Sequence, residues 1–475
     1  MRVDSMMQAA MTIGLVLAVI AANLGEARPA IACGGYGGLS VEVLRALADD
    51  STRPQVVARL REAGPDALAE LMLLRERMTR QHASLLKQPD SAKEVEQLQQ
   101  RQAQLDALID QVGMQRYCSR SGLYWYTDLE QAKAAARTSG KPILSLRMLG
   151  NLNEDFSCAN SRFFRTTLYA NSEISQALRD NYILHWKSVR PVPRVTIDFG
   201  DGRKLERTLT GNSIHYILTP DGEVVDALPG LYGPKAFLQK ISDGASLARR
   251  AAAMSPSERQ AALAAYHADR FRTLGEQFST DLSKVAAAPA KEAPASKGAK
   301  SQVLTAVAAN NIAQPKGRVE RPLVAAALPT ATYAVSASSP EEIQDEATWN
   351  VIAAVHAREA ELDEASRELI RSENPMAAAA GRIAMTKRVV EDPMLRLVRT
   401  LQQTIALDTV RNEYQLHRRI HQWLADGSYR PEVDVLNERV YAELFLTPSS
   451  DPWLGLAPAD VYTALPNGGV AKAGK

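Results

Sequence analysis

The chain has 475 residues, of which 45% are hydrophobic and 23% are charged, a balance typical of globular proteins. This length exceeds that of one ordinary core and predicts two or three domains. The formal net charge of only +2 gives no basic excess, which argues against a nucleic-acid partner. Aromatic residues make up 6% of the chain and alanine is abundant, which favours helices outside the middle region.

The N-terminus has the pattern of an export signal. The apolar run Met11–Leu24 is shorter than the ~20 residues that span a bilayer, and a polar stretch follows it. We therefore predict a cleaved signal peptide over residues 1–32, cut after Ala27 or Ala32, and an exported chain that is periplasmic or otherwise associated with the cell envelope. No second apolar run of that length follows, so the mature chain is predicted to have no transmembrane span.

Three cysteines occur, Cys33, Cys118 and Cys158. The segment Ala30–Cys33 resembles a lipoprotein cleavage box, in which Cys33 would carry a lipid anchor, although charged residues and Pro29 separate it from the apolar run. If Cys33 is lipidated, Cys118 and Cys158 are free to pair; if it is not, Cys33 can bond Cys118 and leave Cys158 free. The sequence leaves these arrangements open.

The next region, residues 33–121, is predicted to be helical from its apolar spacing. Its predicted helices cover residues 39–50, 55–62, 65–86 and 92–112. The last two are long and amphipathic and are joined near Gln88-Pro89-Asp90, a pattern typical of an antiparallel helical hairpin, which is a coiled-coil arrangement.

From Gly122 the pattern changes to strands that alternate with helices. Strands are predicted at residues 123–126, 142–148, 182–189, 195–199, 214–218 and 223–228. Helices are predicted at residues 128–139, 158–169, 172–180 and 234–242. The alternation predicts an α/β domain over residues 122–248 with a largely buried sheet.

The rest of the chain is predicted to be mostly helical. A helix covers residues 249–285, and an Ala/Pro/Lys-rich disordered linker follows over residues 286–340, where periodicity is lost. A C-terminal helical domain then covers residues 341–475, with helices at 341–371, 376–390, 394–407, 409–425 and 431–446. The predicted fold class is thus multidomain, with a central α/β domain flanked by helical regions.

The order of elements in the middle region resembles the thioredoxin-like superfamily. Trp125-Tyr126 is followed by a helix, then by the turn Gly140-Lys141-Pro142, a central strand and Cys158. The segment Tyr216–Val225 is similar to the closing hairpin of that superfamily, and Gly230–Leu238 is similar to the start of its last helix. The resemblance covers residues 122–241, about a quarter of the chain, and implies a thioredoxin-like α/β fold with Cys158 at a helix N-terminus.

Two departures from the family pattern bear on chemistry. The motif is Cys158-Ala159-Asn160-Ser161, a CxxS in place of CxxC, and Ser213 stands near the position where the family has a cis-proline. A helix N-terminus stabilises a thiolate, so Cys158 can attack a disulfide. Ser161 supplies no second thiol, which excludes a dithiol cycle within the motif. Monothiol exchange, with resolution by Cys118 or an external thiol, stays open.

Several other side chains are candidates for a site. His215 is placed in a strand where it can activate Cys158, although a buried strand histidine is more often a packed core residue, and the same holds for His185. His417 and His421 are four residues apart on one helix face, as metal ligands can be. Arg418, Arg419 and the lack of a nearby acidic ligand favour a solvated basic face, so no metal and no cofactor are predicted.

These observations lead to two functional hypotheses. The first is an exported thioredoxin-fold protein of the cell envelope that binds protein partners or acts as a scaffold, without a dithiol redox cycle. The alternative is monothiol disulfide exchange through Cys158. The sequence does not decide whether the protein is an enzyme.

Overall fold

The seven strands of the described chain build two sheets. The computed structural model describes residue 43 and residues 51–89, 91–209, 211–287, 340, 346–375, 378–379, 393–426 and 432–454. The strands are β1 (Trp125–Tyr126), β2 (Ile143–Leu149), β3 (Ile183–Arg190), β4 (Arg194–Asp198), β5 (Lys204–Thr208), β6 (Ser213–Leu218) and β7 (Val224–Pro229). Five of them form a mixed sheet in the order β1-β3-β2-β6-β7, and β4 and β5 form a separate hairpin. All six strands predicted from the sequence are confirmed, with small shifts at their ends.

Strand direction divides the main sheet into two halves. β1, β3 and β2 run parallel, whereas β6 is antiparallel to β2 and β7 is antiparallel to β6. β2 is the central strand, and each of its seven residues is buried. Since parallel strands need helical crossovers, helices cover both faces of this half, and the strand sequences are correspondingly apolar.

The helices before and within the sheet region follow the predicted pattern. They are α1 (Arg53–Ala63), α2 (Pro65–Leu85), α3 (Ala92–Gly113), α4 (Cys118–Ser121), α5 (Leu129–Ser139), α6 (Ala159–Phe163), α7 (Ser172–Asn181), α8 (Pro234–Ala252) and α9 (Pro256–Ala287). A π-helical turn, Phe164–Leu168, continues α6. Asp128 caps α5 by accepting a hydrogen bond from the Gln131 amide, and Gly140 ends the helix at a φ of 71°.

The predicted helical hairpin is confirmed. The guanidinium of Arg75 in α2 forms an ion pair with Asp106 in α3 at 2.5 Å. Nearer the loop, Gln99 contacts His82 at 3.2 Å. Contacts between positions that rise along one helix and fall along the other define an antiparallel pair.

The C-terminal helices are more broken than the sequence predicts. They are α10 (Glu346–Val355), a 3-10 turn (Ala357–Ala360), α11 (Glu364–Glu373), α12 (Pro393–Arg411), a π-helical turn (Asn412–His417), α13 (Arg418–Leu424) and α14 (Val433–Glu443). One continuous helix over residues 341–371 is therefore wrong. The Asp363 side chain accepts a hydrogen bond from the Ser366 amide and starts a new helix, because a capping carboxylate satisfies backbone N–H groups at that point.

The sheet and the C-terminal helices share one continuous hydrophobic core. It extends from Leu144 and Ile217 in the sheet to Ile352, Ile420 and Val440 in the C-terminal helices. The described residues from Val57 onward belong to one compact unit. The division of the chain into separate domains stays a prediction. The signal peptide, the predicted helix at 39–50, the linker and the predicted helix at 376–390 lie wholly or mostly outside the described residues. Within the part of the chain that the structure describes, no helix is long and apolar enough to cross a membrane.

Candidate functional site

Cys158 and Ser161 lie together at the start of α6, as the CxxS spacing predicts. Cys158 directly precedes the helix, and its amide donates to the Leu149 carbonyl at the end of the central strand at 3.1 Å. The thiol Sγ lies 3.4 Å from the Ser161 hydroxyl, and both residues are fully buried. The sulfur is therefore held inside the protein with a hydroxyl as its neighbour.

Hydrogen bonds hold the residues around Cys158 in place. The Ser161 hydroxyl lies 2.7 Å from the Ser157 hydroxyl and 2.8 Å from the Cys158 carbonyl. Thr208, at the end of β5, donates to the Ser157 carbonyl at 3.3 Å and accepts from Arg162 at 2.8 Å. The β4-β5 hairpin is thereby tied to the loop that carries the cysteine.

Tyr441 of α14 and Tyr169 also lie within electrostatic range of Cys158. Burial raises the pKa of both phenols well above the ordinary value, and a negative charge on Cys158 raises each pKa further. Tyr441 comes from the C-terminal helix α14, and no local sequence pattern placed it beside Cys158.

His215 is a core residue. Its Nε2 lies 2.7 Å from the Tyr169 hydroxyl, and its Nδ1 is buried with no hydrogen-bond partner. The ring packs against Phe164 and Phe237, with centroids at 4.6 Å and 5.1 Å. Burial lowers the pKa of His215 to about 3, so the ring is neutral. Its two nitrogens make no bond to Cys158, and the structure does not bring the two together as a catalytic pair.

Ser213, near the family's proline position, begins β6 opposite Met148 of β2. It is fully buried, and its hydroxyl has no hydrogen-bond partner. No peptide bond among the described residues is cis. The position therefore has ordinary strand geometry.

The two described cysteines are free. Cys118 and Cys158 are both buried and form no disulfide. The Cys118 thiol donates to the Leu123 carbonyl at 3.3 Å, and burial raises its pKa. Cys33 lies outside the described residues, so its pairing and lipidation stay predictions.

The charged residues beside Cys158 are engaged elsewhere. Asp155 pairs with Arg116 at 2.8 Å, and Arg165 donates to the Leu152 carbonyl at 3.1 Å. Burial lowers the pKa of Arg165 to about 10. These two groups hold the loop in place, and neither forms a hydrogen bond to the sulfur of Cys158.

Sequence reasoning missed a cluster of polar side chains around Arg147 in the central strand β2. The Arg147 guanidinium, 1% exposed, donates to the Ser145 hydroxyl at 2.7 Å and to Asp434 of α14 at 3.0 Å. His185 accepts from Arg147 at 3.3 Å, and burial lowers its pKa to about 3. A lone arginine inside an apolar strand was the available signal, because a buried charge requires a partner.

The prediction of a solvated basic face for His417 and His421 is wrong. Both imidazoles are buried, and their centroids lie 4.0 Å apart. His417 lies between Asp226 of β7, at 2.9 Å, and Glu413, at 3.1 Å. Burial would lower the pKa of His417, but these two carboxylates outweigh it and raise its pKa. Glu413 lies only four positions before His417 and was available to sequence reasoning, whereas Asp226 comes from a strand almost two hundred positions away, which local sequence does not reveal.

His421 faces a further histidine. Its Nδ1 lies 2.8 Å from Nδ1 of His267 in α9, and Nε2 of His267 lies 3.1 Å from the Val225 carbonyl. A nitrogen of each ring and an oxygen of Asp226 lie within 4.8 Å of one another. We name Asp226, His267 and His421 the histidine cluster. Among the residues that the structure describes, it is the group of three side chains that could hold a metal ion.

A cavity of about 690 Å³ reaches the edge of this cluster. Its lining includes Asp226, Tyr266, Arg270 and Glu413, so it is polar and of mixed charge. It lies between α8, α9 and the C-terminal helices.

Comparisons of the chain with protein-family models, with curated proteins and with solved structures give no match. The function is therefore argued from the geometry above.

Proposed function

We propose that the protein is a thioredoxin-like scaffold or interaction protein of the cell envelope that has no dithiol redox cycle. Three features support the fold assignment: the parallel strands β1, β3 and β2 joined through helices, the antiparallel pair β6 and β7, and Cys158 directly before a helix. They match the order of elements on which the resemblance rests. A thioredoxin-like fold does not itself imply redox activity.

The burial of Cys158 is the observation that carries the functional proposal. A disulfide-exchanging thiolate must reach a substrate sulfur and be attacked in turn. Cys158 is 0% exposed, and its sulfur lies 3.4 Å from the Ser161 hydroxyl. Its role is to pack the first turn of α6 against the sheet, where a small apolar side chain suits the space.

Thiol reactivity tests this proposal. We expect iodoacetamide to modify Cys158 in the native protein far more slowly than in guanidinium chloride, as followed by mass spectrometry of the cysteine peptides. Cys118, equally buried, is the internal control. Rapid native modification of Cys158 alone would favour the alternative, monothiol exchange.

Partner capture tests the interaction role. Cross-linking in intact cells is expected to recover the same partners with the wild-type chain and with Cys158→Ala. Loss of partners in this variant, with its fold intact by circular dichroism, would contradict a scaffold role that is independent of the thiol.

Export is a separate part of the proposal and rests on residues 1–32. Cell fractionation is expected to place the chain in the envelope fraction. Mass spectrometry of the mature N-terminus distinguishes cleavage after Ala27 from cleavage after Ala32, and a lipid mass on Cys33 would establish an anchor. An uncleaved cytoplasmic chain would contradict export.

A further inference from the structure

We propose that Asp226, His267 and His421 bind a divalent first-row transition-metal ion, with Zn²⁺ as the tested ion. The three residues come from β7, α9 and α13, which are far apart in sequence. All three are buried, and their potential ligand atoms lie within 4.8 Å of one another. This convergence is independent of Cys158 and of the redox question.

The donor set selects the class of ion. Two imidazole nitrogens and one carboxylate oxygen suit zinc or another first-row transition metal. Ca²⁺ and Mg²⁺ prefer sites made of oxygen atoms, so two histidines argue against them. No thiol lies in the histidine cluster, which separates this site from cysteine-based zinc sites.

The orientation of His267 is that of a ligand. Its Nε2 lies 3.1 Å from the Val225 carbonyl, which can only accept, so Nε2 is the protonated nitrogen of the neutral ring. The lone pair is consequently on Nδ1, the atom that faces His421 at 2.8 Å. A backbone carbonyl that fixes the outer nitrogen of a histidine is a recurrent feature of metal sites.

The histidine cluster is incomplete by itself. Nε2 of His421 is buried and has no hydrogen-bond partner. Buried polar atoms are nearly always satisfied, and a water molecule is a common explanation for one that is not. When both Nδ1 atoms bind an ion, the proton of His421 moves to Nε2 and needs an acceptor there. The orphaned Nε2 therefore calls for a water molecule, and the case for the ion rests on the convergence of the three ligand atoms.

Asp226 supplies the third potential ligand atom of the histidine cluster. Its Oδ1 accepts from the Ala227 amide at 2.8 Å and contacts His417 at 2.9 Å, while its Oδ2 lies 3.3 Å from the Tyr266 hydroxyl. The better-bonded oxygen orients the carboxylate, and Oδ2 is left as the donor to an ion. His417 is thus an outer residue that positions Asp226.

Binding requires a small adjustment and a route. Tetrahedral zinc with Zn–N distances near 2.0–2.1 Å places two ligand nitrogens about 3.3 Å apart. The two Nδ1 atoms lie 2.8 Å apart, so the rings must separate by about 0.5 Å. The cavity of about 690 Å³ is lined by Asp226 and Tyr266, so it reaches the carboxylate of the cluster and offers a route to it from that side.

Metal analysis of the full purified chain tests the site. After chelation and reloading with Zn²⁺, we expect about one zinc ion per chain by elemental mass spectrometry and a higher midpoint of thermal unfolding. His267→Gln and His421→Ala are each expected to weaken binding at least about 100-fold. His185→Asn, in a buried histidine on another face, and Cys158→Ser are matched controls that should keep the ion.

Cobalt substitution in the wild-type chain decides the question if the ligand variants fail to fold. A visible d–d spectrum with nitrogen and oxygen ligands supports the site. A sulfur-to-cobalt band would place the ion at a cysteine and overturn it. Absence of bound metal in the folded wild type, or full zinc retention in folded His421→Ala, would also overturn it and leave only a hydrogen-bonded histidine pair. None of these results depends on the reactivity of Cys158.

Discussion

At the scale of single residues, burial decides what each candidate side chain can do. Cys158 and His215, the pair that the sequence nominated for thiol chemistry, are core residues with other neighbours. Arg147, which the sequence analysis passed over, is a buried cation held by Asp434 and Ser145. Cys158, His215 and Arg147 thus have structural roles in the described chain, because distant segments determine their solvent access and their partners.

The Arg147–Asp434 pair gives a prediction about stability. We expect Asp434→Ala to lower the free energy of unfolding by about 1–3 kcal/mol, because it leaves a buried guanidinium without its carboxylate, which is itself 54% exposed. Lys187→Ala removes the exposed partner of the same carboxylate, at 2.8 Å, and should cost less than about 1 kcal/mol. Guanidinium titrations of both variants measure the difference. Equal losses would show that the burial of Arg147 does not matter.

The double variant Arg147→Met/Asp434→Ala is the companion measurement. Since it removes the buried charge together with its partner, it should recover most of the stability lost in Asp434→Ala. A double variant as unstable as Asp434→Ala alone would contradict an electrostatic origin.

His185 gives a prediction about the stability of the protein at low pH. Burial lowers its pKa from 6.5 to about 3. Below pH 6.5, His185 therefore binds a proton in the unfolded chain but not in the folded chain. Stability is therefore complete above about pH 6.5 and falls as the pH drops from there towards 3. His185→Asn keeps an acceptor for Arg147 but does not titrate. Between pH 6.5 and pH 4, the variant should lose stability less steeply, by up to about 1.4 kcal/mol per pH unit.

Urea titrations across that pH range measure this slope. The difference between the two proteins at pH 7.5 gives the cost of the altered packing alone and serves as the reference. Parallel curves for wild type and His185→Asn would contradict the assignment. His215, whose pKa burial also lowers to about 3, remains in both proteins and contributes equally to their slopes.

At the scale of elements, close approaches fix how helices meet their neighbours. α3 ends at Gly113, where an added Cβ would lie 2.2 Å from the Cys118 sulfur and 3.0 Å from its Cβ. Only a residue without a side chain permits this approach. α14 is anchored in a different way, by polar contacts: Asn437 lies 3.3 Å from the Tyr216 hydroxyl, and Tyr441 donates to the Asn212 carbonyl at 3.2 Å.

Two glycine substitutions separate helix propensity from packing. Gly113→Ala should lower the free energy of unfolding by about 1–3 kcal/mol because the methyl group overlaps Cys118. Gly275→Ala, inside α9, meets no atom closer than 3.7 Å and should raise stability by up to about 1 kcal/mol, the helix preference of alanine over glycine. Thermal unfolding compares the two variants. A stabilising Gly113→Ala would contradict the close approach.

A second substitution that removes the Cys118 sulfur should restore part of the stability lost in Gly113→Ala. Gly113→Ala combined with Cys118→Ala should be more stable than the sum of the two single changes predicts, because the overlapping atom is gone. Strict additivity would assign the loss in Gly113→Ala to another cause.

At the scale of the whole molecule, the C-terminal helices complete the core of the sheet region. α14 and the segment after it lie along β3 and β6, where Arg190 donates to the Asp451 carbonyl at 3.0 Å and also to Thr447. The π-helical turn Asn412–His417 and α13 contact β7 and α9 around the histidine cluster. Because this apolar core is continuous, the sheet cannot lose these helices without exposing a large buried face.

Unfolding of the sheet and of the C-terminal helices should consequently be one cooperative transition. Hydrogen exchange measured by mass spectrometry across a guanidinium series is expected to show peptides from β2 and from α12–α13 losing protection at the same concentration. The α2-α3 hairpin, which has a more exposed surface, is the internal comparison. Separate transitions for β2 and α12–α13 would instead support an independent C-terminal domain.

The sequence by itself determined the elements. Apolar spacing, the Lys141-Pro142 turn and the change of period at Gly122 placed most helices and six of the seven described strands, because these signals act over a few residues. It also limited the chemistry, since Ser161 excludes a second thiol in the motif.

Only the tertiary structure decided the environment of each side chain. Asp226 meets His417, and Asp434 meets Arg147, across about two or three hundred positions. Such pairs arise from the packing of whole elements, and no local pattern encodes them. The burial of Cys158 and the convergence of His267 and His421 also result from the packing of whole elements. For this reason the sequence indicated a thiol site, whereas the folded structure shows a buried thiol and a histidine cluster.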